Sequence, residues 1–424
     1  KLRELNLLLG LLISVFALAQ NSSFENFTTT DGLVNNDVRA ITQTPNGDLW
    51  FGTLGGLSMY NGTNFTNYTT DEGMPGNQVD YLTSDINGNI WFAAEWSNKG
   101  LVKFDGTTFT PYTMDSGLIS NDIASIAADE NGWVWVGHWG AGLSVFRGDT
   151  FVNFNEGNGE LCDDYVTSVF MREGKVYANG YNGCISVLSN TGWSSINGPL
   201  QLGVGELSYS TMDVYGSIWG KTYDYNSDDV WVYDIETEVW TKKTAGLIGM
   251  SYIGQIYCDY LGVTWVVADN GIHSYDTITG WSNFSGKIAG NRHSSVLMDM
   301  DYKMWFGDKG AGLTKLTQKF DLTGEVNKRN NISGSALLKL YKVNKEGSIG
   351  EALDGGTGSG ALQTEYDFKG VDIGRYILWG SLRVNYPETY YNMKGKWEDS
   401  DILYFGNYLT CLLYTSDAAD DLLC

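Results

Sequence analysis

The feature that most constrains this chain is a short phrase, centred on a tryptophan, that recurs along most of its length. The clearest copy is NGDLWFGT, from Asn46 to Thr53, and related copies begin at Asn87, Asn131 and Tyr302. Successive centres lie 40 to 46 residues apart, and they are Trp50, Trp91, Trp135, Tyr177, Trp219, Trp265 and Trp305. A repeat of this length, built from short apolar stretches and Gly/Asn turns, is typical of a β-propeller.

Each repeat predicts a small antiparallel sheet. In the first unit, four short apolar stretches are separated by turns such as the one at Asn61 and Gly62. Glycine supplies the positive φ that these turns need, and asparagine tolerates it. A four-stranded sheet of this kind cannot bury both of its faces alone, so neighbouring units must stack on it.

The seventh unit lacks a clear fourth strand after Leu316. The segment from Phe24 to Thr28 precedes Asp31 in the same way that Phe65 to Thr69 precedes Asp71. We therefore predict that the N-terminal strand completes the seventh blade, which removes the open sheet edges that favour aggregation. The predicted fold class is all-β: a seven-bladed propeller of four-stranded blades over residues 20–316, closed by an N-terminal strand, plus a small C-terminal β-sandwich.

Four segments lie outside the repeats, and their compositions predict different roles. Residues 1–19 combine a basic start, an apolar middle and a small-residue end, which predicts a signal peptide cleaved before Gln20. Residues 317–330 are polar and are predicted as a linker, and residues 331–410 contain several short strands of a small β-sandwich. Residues 411–424 resemble the translation of a sequencing-library transposon adapter, so we expect that they, with Cys411 and Cys424, are an artefact and that the natural protein was cut at about Thr410. No transmembrane segment is predicted.

Charge and cysteine content narrow the range of ligands. The chain has 50 Asp and Glu against 27 Lys and Arg, a formal net charge of −23, so it repels phosphate backbones and nucleic acid is not an expected partner. The cysteines before residue 411 have no CxxC spacing, so no zinc site or other metal site is predicted, and no cofactor. Cys162 and Cys184 could meet in the fourth blade, but we expect three unpaired thiols, including Cys258.

The run NNDVRAITQTPNGDLWFGTLGGLSMYNGTNFTNYT resembles the two-component regulator propeller repeat of bacteria. The resemblance extends from Phe24 to about Leu316, and in that family the propeller is often the extracytoplasmic half of a hybrid sensor kinase that detects glycan fragments. The later segments ISGSALLKLYK and YDFKGVDIGRYILWG are similar to a carboxypeptidase-regulatory-like, prealbumin-type module, common in secreted proteins of Bacteroidetes-type bacteria. Such proteins often end in a type IX secretion sorting domain. The resemblance implies a secreted, periplasmic or outer-surface protein.

Candidate binding residues come from two sets of loops that share one face of a propeller. These loops connect the fourth strand of one blade to the first strand of the next, and the second strand of a blade to its third. Aromatic rings beside amides and carboxylates suit a sugar, because its CH faces stack on rings while its hydroxyls bond to polar groups. The candidates are Glu95, Trp96, His138, Trp139, Tyr181, Asn182, Tyr223, Tyr225, Asp269, Arg292 and His293. In the structural alternative, Trp139 and Tyr181 pack between blades and asparagines such as Asn36 cap turns.

Three functions remain open from the sequence. The first is a non-catalytic secreted or cell-surface protein whose propeller face recognises a carbohydrate or another extracellular ligand. The alternative is the extracytoplasmic sensor module of a two-component system, which works through a protein partner. A polysaccharide lyase-like enzyme comes third, because His138 and His293 are predicted on the same rim but no catalytic partner can be assigned to either.

Overall fold

The structure, a computed structural model, describes residues 11–94, 100–198, 207–224, 227–243, 252–259, 261–277, 280–284, 286–328, 334–343, 349–360, 363–372, 376–384 and 402–404. Within these ranges the side chains of residues 23–317 are described, apart from 223, 224, 227 and 228. The chain divides into two compact units, and the seven blades occupy the unit formed by Phe24–Asp299 and Met304–Leu316. In the described ranges, no helix has both the length and the apolar character needed to cross a membrane.

The described structure is almost entirely β. Strand β1 spans Leu11–Phe27. Blades one to three contain β2 Val38–Gln43, β3 Leu49–Thr53, β4 Gly56–Tyr60, β5 Phe65–Tyr68, β6 Val79–Ser84, β7 Ile90–Ala94, β8 Leu101–Phe104, β9 Phe109–Tyr112, β10 Ile123–Ala128, β11 Val134–His138, β12 Gly142–Phe146 and β13 Phe151–Phe154. Short 3-10 helices at Thr29–Asp31, Thr70–Glu72, Met114–Ser116 and Glu156–Asn158 precede blades one to four.

The remaining blades repeat the same four-stranded order. They contain β14 Val166–Arg172, β15 Lys175–Gly180, β16 Ile185–Ser189, β17 Gly192–Ile196, β18 Leu207–Met212, β19 Ile218–Asp224, β20 Ser227–Asp234, β21 Val239–Lys242, β22 Ile253–Cys258, β23 Thr264–Ala268, β24 Gly271–Asp276, β25 Gly280–Asn283, β26 His293–Met298, β27 Met304–Asp308 and β28 Gly312–Lys328. Each of the first six blades is an antiparallel sheet whose strands pair in chain order. The predicted seven-bladed propeller of four-stranded blades is therefore confirmed.

The second unit contains the strands that follow the propeller. They are β29 Gly334–Val343, β30 Ile349–Gly360, β31 Gln363–Asp372, β32 Tyr376–Val384 and β33 Ile402–Tyr404. Four of them form one sheet in the order β30-β29-β32-β33, and β31 pairs with β28. Strand β28 thus continues through residues 317–328, which were predicted from the sequence to be a linker.

The N-terminal strand closes the ring, as predicted. Blade seven has the strand order β1-β28-β27-β26, so its outermost strand comes from the other end of the propeller sequence. The Phe27 ring stacks on Trp305 with centroids 5.5 Å apart, and the Glu25 carboxylate lies 2.8 Å from the Lys315 ammonium. Strand β1 begins at Leu11, inside the segment assigned to a signal peptide, and that assignment stays a prediction.

The repeated tryptophans form the contacts between blades. Trp50, Trp91 and Trp135 expose only 7%, 1% and 1% of their surface. Each packs against the first strand of the following blade or its neighbours, as Trp50 does in one cluster with Val79 and Trp135 in another with Val166. Burial of these large rings supplies the apolar interface that holds successive sheets together.

An aspartate six residues before the tryptophan satisfies the buried indole N–H in five of the seven blades. The Trp91 Nε1 donates to Asp85 at 2.9 Å, while the other carboxylate oxygen of Asp85 accepts the backbone N–H groups of Asn87 and Asn89. One carboxylate therefore fixes a hairpin turn and pairs a buried polar group. The five pairs are Asp85–Trp91, Asp129–Trp135, Asp213–Trp219, Asp259–Trp265 and Asp299–Trp305, with distances of 2.7 to 3.0 Å.

A glycine two residues after the tryptophan lets the next blade approach closely. A Cβ atom added to Gly137 would lie 2.6 Å from the backbone oxygen of Val166 in blade four, and one added to Gly307 would lie 2.8 Å from a methyl group of Val38 in blade one. Both distances are shorter than real Cβ contacts, so only glycine fits there. The Trp-x-Gly pattern therefore marks a close approach of the next blade at Gly52, Gly137 and Gly307, while the other four blades have a larger residue at this position.

The cysteine prediction is wrong for one pair. Cys162 and Cys184 form a disulfide across 22 residues, with their Cα atoms 6.2 Å apart, and among the described residues only Cys258 is a free thiol. Cys162 lies just before the first strand of blade four and Cys184 just before its third strand, so both reach the same end of the sheet. Burial raises the pKa of the Cys258 thiol, which keeps it protonated and unreactive.

We expect the double substitution of Cys162→Ser and Cys184→Ser to lower the free energy of unfolding by about 2–4 kcal/mol, because the crosslink restricts the unfolded chain. Denaturant titration with and without reductant measures this effect. Reductant should destabilise the unmodified protein and a Cys258→Ser control alike, but it should leave the double variant unchanged. Equal stability of the oxidised and reduced proteins would contradict the prediction.

Candidate functional site

The first strands of all seven blades surround a central cavity of about 770 Å³. At one end the cavity is lined by Asp122, Trp139, Tyr252 and Lys309, which belong to the two loop sets singled out from the sequence. We call this end the mouth. Its position matches the usual location of ligand sites in closed β structures, where loops converge around an opening.

The loops around the mouth are tied to one another through their backbones. The Trp139 N–H donates to the Asp122 carbonyl at 3.1 Å, the Tyr181 N–H to the Tyr165 carbonyl at 2.9 Å, and the Lys309 N–H to Arg292 at 3.0 Å. In each case the loop after the second strand is bonded to the segment just before the first strand of the same blade. The two loop sets therefore share one face.

Three partly exposed rings line one side of the mouth, and we call them the aromatic wall. Trp139, Tyr165 and Tyr181 expose 41%, 50% and 37% of their surface. Trp139 and Tyr181 meet edge to face with centroids 6.3 Å apart, and Tyr165 lies 6.2 Å from Tyr181. The contact between Trp139 of blade three and Tyr181 of blade four joins neighbouring blades, and both rings also keep exposed surface. Sequence reasoning identified Trp139 and Tyr181 but omitted Tyr165, although it follows the acidic pair Asp163 and Asp164 in the same loop.

Two lysine side chains also lie at the mouth. Lys221 is 4% exposed, and its ammonium donates to the Ile253 carbonyl at 2.8 Å and lies 4.7 Å from the ring centroids of Tyr209 and Tyr252. The Lys309 ammonium lies 5.7 Å from the same Tyr252 ring. Both lysines were missed from the sequence. The sequence does contain one indication for Lys221: it stands two residues after Trp219, where several other repeats have glycine, so a charged side chain is unusual there.

An ion-pair cluster lies beside the lysines. The Arg39 guanidinium bonds to Asp37 at 2.9 Å and also contacts Asp80. Arg39 and Asp80 both line the cavity, and each comes from the first strand of its blade. One guanidinium thus bridges two carboxylates, which fixes the cavity wall between blades one and two and leaves the cluster with one net negative charge.

The two histidines expected on the rim lie in the interior. His138 is fully buried, and its Nε2 lies 3.0 Å from the Ser144 hydroxyl. Burial lowers the pKa of His138 to about 4, and a hydrogen bond with the backbone of Asp122 acts in the opposite direction. His293 is 2% exposed with its Nδ1 3.4 Å from the Asp308 carboxylate. Burial lowers its pKa and the charge of Asp308 opposes this. Both are strand residues that pack inside their blades.

The remaining predicted site residues differ in their surroundings. The Asn182 side chain donates to the Cys162 carbonyl at 3.2 Å, and Asp269 accepts the Tyr252 backbone N–H at 3.3 Å, so both hold loops. Arg292 is exposed beside Lys309. Glu95, Trp96 and Tyr225 lie outside the described residues, and Tyr223 is described only by its backbone.

Asparagines in the loops that lead from one blade to the next cap the short 3-10 helices. The Asn36 Oδ1 accepts the Thr29 backbone N–H at 2.8 Å, and equivalent bonds join Asn77 to Thr70 at 2.7 Å and Asn121 to Met114 at 2.9 Å. Each bond satisfies a backbone donor at the start of a short 3-10 helix. For these asparagines the structural alternative is confirmed.

Comparison with known proteins supports the fold. The family model described as "Two component regulator propeller" matches residues 32–55 and 117–140, which lie in blades one and three with their preceding loops. No curated protein matches the chain. The extracellular domain of a protein described as a hybrid two-component system, from B. thetaiotaomicron, is 19% identical with a TM-score of 0.58, covering 86% of this chain and 53% of that domain. The chain therefore spans about half of that relative.

Two other solved structures share the propeller. Virginiamycin B lyase from Staphylococcus aureus is 15% identical with a TM-score of 0.55, over 70% of this chain and 98% of the lyase. PorZ, a surface component of the type-IX secretion system of Porphyromonas gingivalis, is 12% identical with a TM-score of 0.53, over 83% of this chain and 58% of PorZ. Likeness at these identities establishes the fold, while function depends on the residues at the mouth.

Proposed function

We propose that this propeller is an extracytoplasmic binding module that recognises a carbohydrate at the mouth of its central cavity and does not transform it. The aromatic wall is the observation that carries this proposal. Trp139, Tyr165 and Tyr181 present three ring surfaces side by side, next to polar groups of the cavity. Rings of this kind stack on the CH faces of sugars, and an extended row suits an oligosaccharide better than a compact metabolite.

The wall is held in place before a ligand arrives. The Tyr181 backbone is bonded to Tyr165, the neighbouring Asn182 is bonded to Asp163 and Cys162, and the disulfide ties Cys162 to Cys184 on the same rim. A prearranged surface loses less conformational entropy on binding than a mobile one. Weak single contacts can therefore add up to useful affinity.

We also propose that the protein acts outside the cytoplasm and that a spacer domain follows the propeller. A disulfide is typical of oxidising compartments outside the cytoplasm, and the acidic composition suits a soluble extracellular surface. With the signal peptide assigned to residues 1–19, we place the protein in the periplasm, at the outer surface or in the medium, with residues 331–410 as a β-sandwich spacer. The similarity to PorZ supports a link with type IX secretion.

The sensor module of a two-component system is the second candidate. The repeat match and the similarity to an extracellular domain of a hybrid two-component system favour it. In that role the same mouth would bind the ligand and a protein partner would receive the signal. A lyase-like enzyme is less favoured, because His138 and His293 are buried within their blades instead of lining the mouth.

Binding to a glycan array, followed by calorimetry on the full chain, tests the proposal. Trp139→Ala and Tyr181→Ala should each weaken binding by about tenfold, since a stacked ring contributes roughly 1 kcal/mol or more. Both variants should keep the melting temperature of the unmodified protein. Tyr215→Ala is the matched control, because Tyr215 is 61% exposed in a turn at the opposite end of the blades.

Two results would argue against the proposal. An array on which no glycan binds, or binding that survives both wall substitutions, would remove the sugar-binding assignment. Turnover of a bound glycan that His138→Ala abolishes would favour the enzyme instead.

A further inference from the structure

Three cationic residues, Lys221, Lys309 and Arg292, lie near one another at the mouth of a strongly acidic protein. The formal net charge of the chain is −23, yet Lys221 and Lys309 both lie against the Tyr252 ring, at 4.7 and 5.7 Å. Arg292 is adjacent, because its carbonyl accepts the Lys309 backbone N–H. A local group of cations can attract a small anion even when the whole molecule repels large polyanions, because salt limits the range of charges to about 8 Å.

Lys309 is the cation whose surroundings most favour an anionic ligand. Its side chain is partly buried at the mouth, and among the described residues its ammonium forms neither a hydrogen bond nor an ion pair. Burial lowers its pKa, the charges of Arg39 and Arg292 lower it further, and Asp37 and Asp80 oppose them. Both carboxylates are bonded to Arg39, and neither forms an ion pair with the Lys309 ammonium, although Asp37 is bridged to Lys309 through the backbone.

Lys221 adds a fixed positive charge to the same region. Its bond to the Ile253 carbonyl and its position between the rings of Tyr209 and Tyr252 hold the ammonium in the cavity wall. It lines the side pocket that also contains Trp139 and Tyr181. Cations and stacking rings therefore border one continuous space, since Trp139 and Lys309 line the main cavity together.

We propose that the ligand is an acidic saccharide whose carboxylate or sulfate group is bound by Lys309, while its sugar rings stack on the aromatic wall. Lys221 and Arg292 contribute positive potential without being the primary contact. This inference rests on the proposed function, because it assigns the chemistry of a ligand at the same mouth. A neutral sugar would leave the partly buried ammonium of Lys309 without a directly bonded anion, whereas an acidic one forms a charge-assisted hydrogen bond with it.

The test uses a glycan array in which each acidic member is paired with its neutral counterpart, carboxyl-reduced for uronates and desulfated for sulfated sugars. We expect an acidic member to bind the full chain about tenfold or more tightly than its counterpart, and the type of pair shows whether carboxylate or sulfate is recognised. Lys309→Met should remove this preference, and Lys309→Arg should restore most of it. Binding of the acidic member should also weaken as salt increases.

The controls separate this inference from the proposed function. Lys175→Met removes an exposed lysine at the opposite end of blade four and should leave the preference intact. Trp139→Ala should weaken both members of a pair equally. If neutral and acidic members bind alike, or if a folded Lys309→Met variant keeps the preference, the inference is wrong while the sugar-binding function stands. If no member binds, both are wrong.

Discussion

Trp135→Ala is expected to lower the free energy of unfolding by about 3–5 kcal/mol, the usual cost of truncating a buried large aromatic residue. Trp135 is 1% exposed, stacks on Phe154 at 6.2 Å and packs with Val166 of the next blade. The substitution would also remove the hydrogen bond from its indole to Asp129. Against a total stability of about 5–15 kcal/mol, this loss would leave the propeller marginally folded or unfolded.

Guanidinium titration of the two proteins measures this loss. Trp139→Ala is the matched control, because the same change of residue type occurs four positions later at a side chain that is 41% exposed. A surface substitution of this kind should change stability by no more than about 0.5 kcal/mol. Similar unfolding midpoints for the two variants would show that Trp135 does not hold blades three and four together.

Deletion of Ser22–Thr28 is expected to open the ring, with a large fall in melting temperature and with aggregation. The deletion removes the pairing of β1 with β28, the stacking of Phe27 on Trp305 and the bond between Asn26 and Thr314. It also leaves blade seven with an unpaired edge, which can pair with another molecule. Calorimetry and light scattering follow the two effects.

Glu25→Gln provides the control for the deletion. It removes only the partly exposed ion pair with Lys315, which should be worth about 0–1 kcal/mol, and it keeps every strand. Adding a synthetic peptide of residues 22–28 to the truncated protein should restore part of the lost stability. An unchanged melting temperature after the deletion would mean that another segment closes the ring.

The periodic parts of the sequence predicted the fold because every blade has the same packing requirement. Each blade needs a large ring on its second strand to fill the gap to its neighbour, and the chain supplies Trp50 and its equivalents at a nearly constant interval. The N-terminal strand was also predictable, because Phe27 occupies the place in blade seven that the outer-strand aromatics occupy elsewhere. Even Tyr177, without the indole, is buried in register.

The site was predicted less well, for reasons that concern single positions. His138 was assigned to a loop, but it is the last residue of β11, and a shift of one residue in a strand reverses the face on which a side chain lies. His293 begins β26 in the same way. The disulfide depends on the distance between two segments 22 residues apart, and the convergence of Lys221 and Lys309 on Tyr252 depends on three blades, so neither leaves a local pattern.

Ring closure determines when the N-terminal strand can find its partner during synthesis of this protein. Asn26 and Thr314 bond across 288 residues, so the first strand to leave the ribosome has no partner until the last blade follows it. Contacts this distant in sequence slow folding, and an unpaired strand can meanwhile associate with other chains. A circular permutant of residues 24–316 that joins Leu316 to Phe24 by a short linker and begins between β5 and β6 would build every blade from neighbouring residues. Its yield of folded protein should therefore depend less on whatever protects the first strand during synthesis.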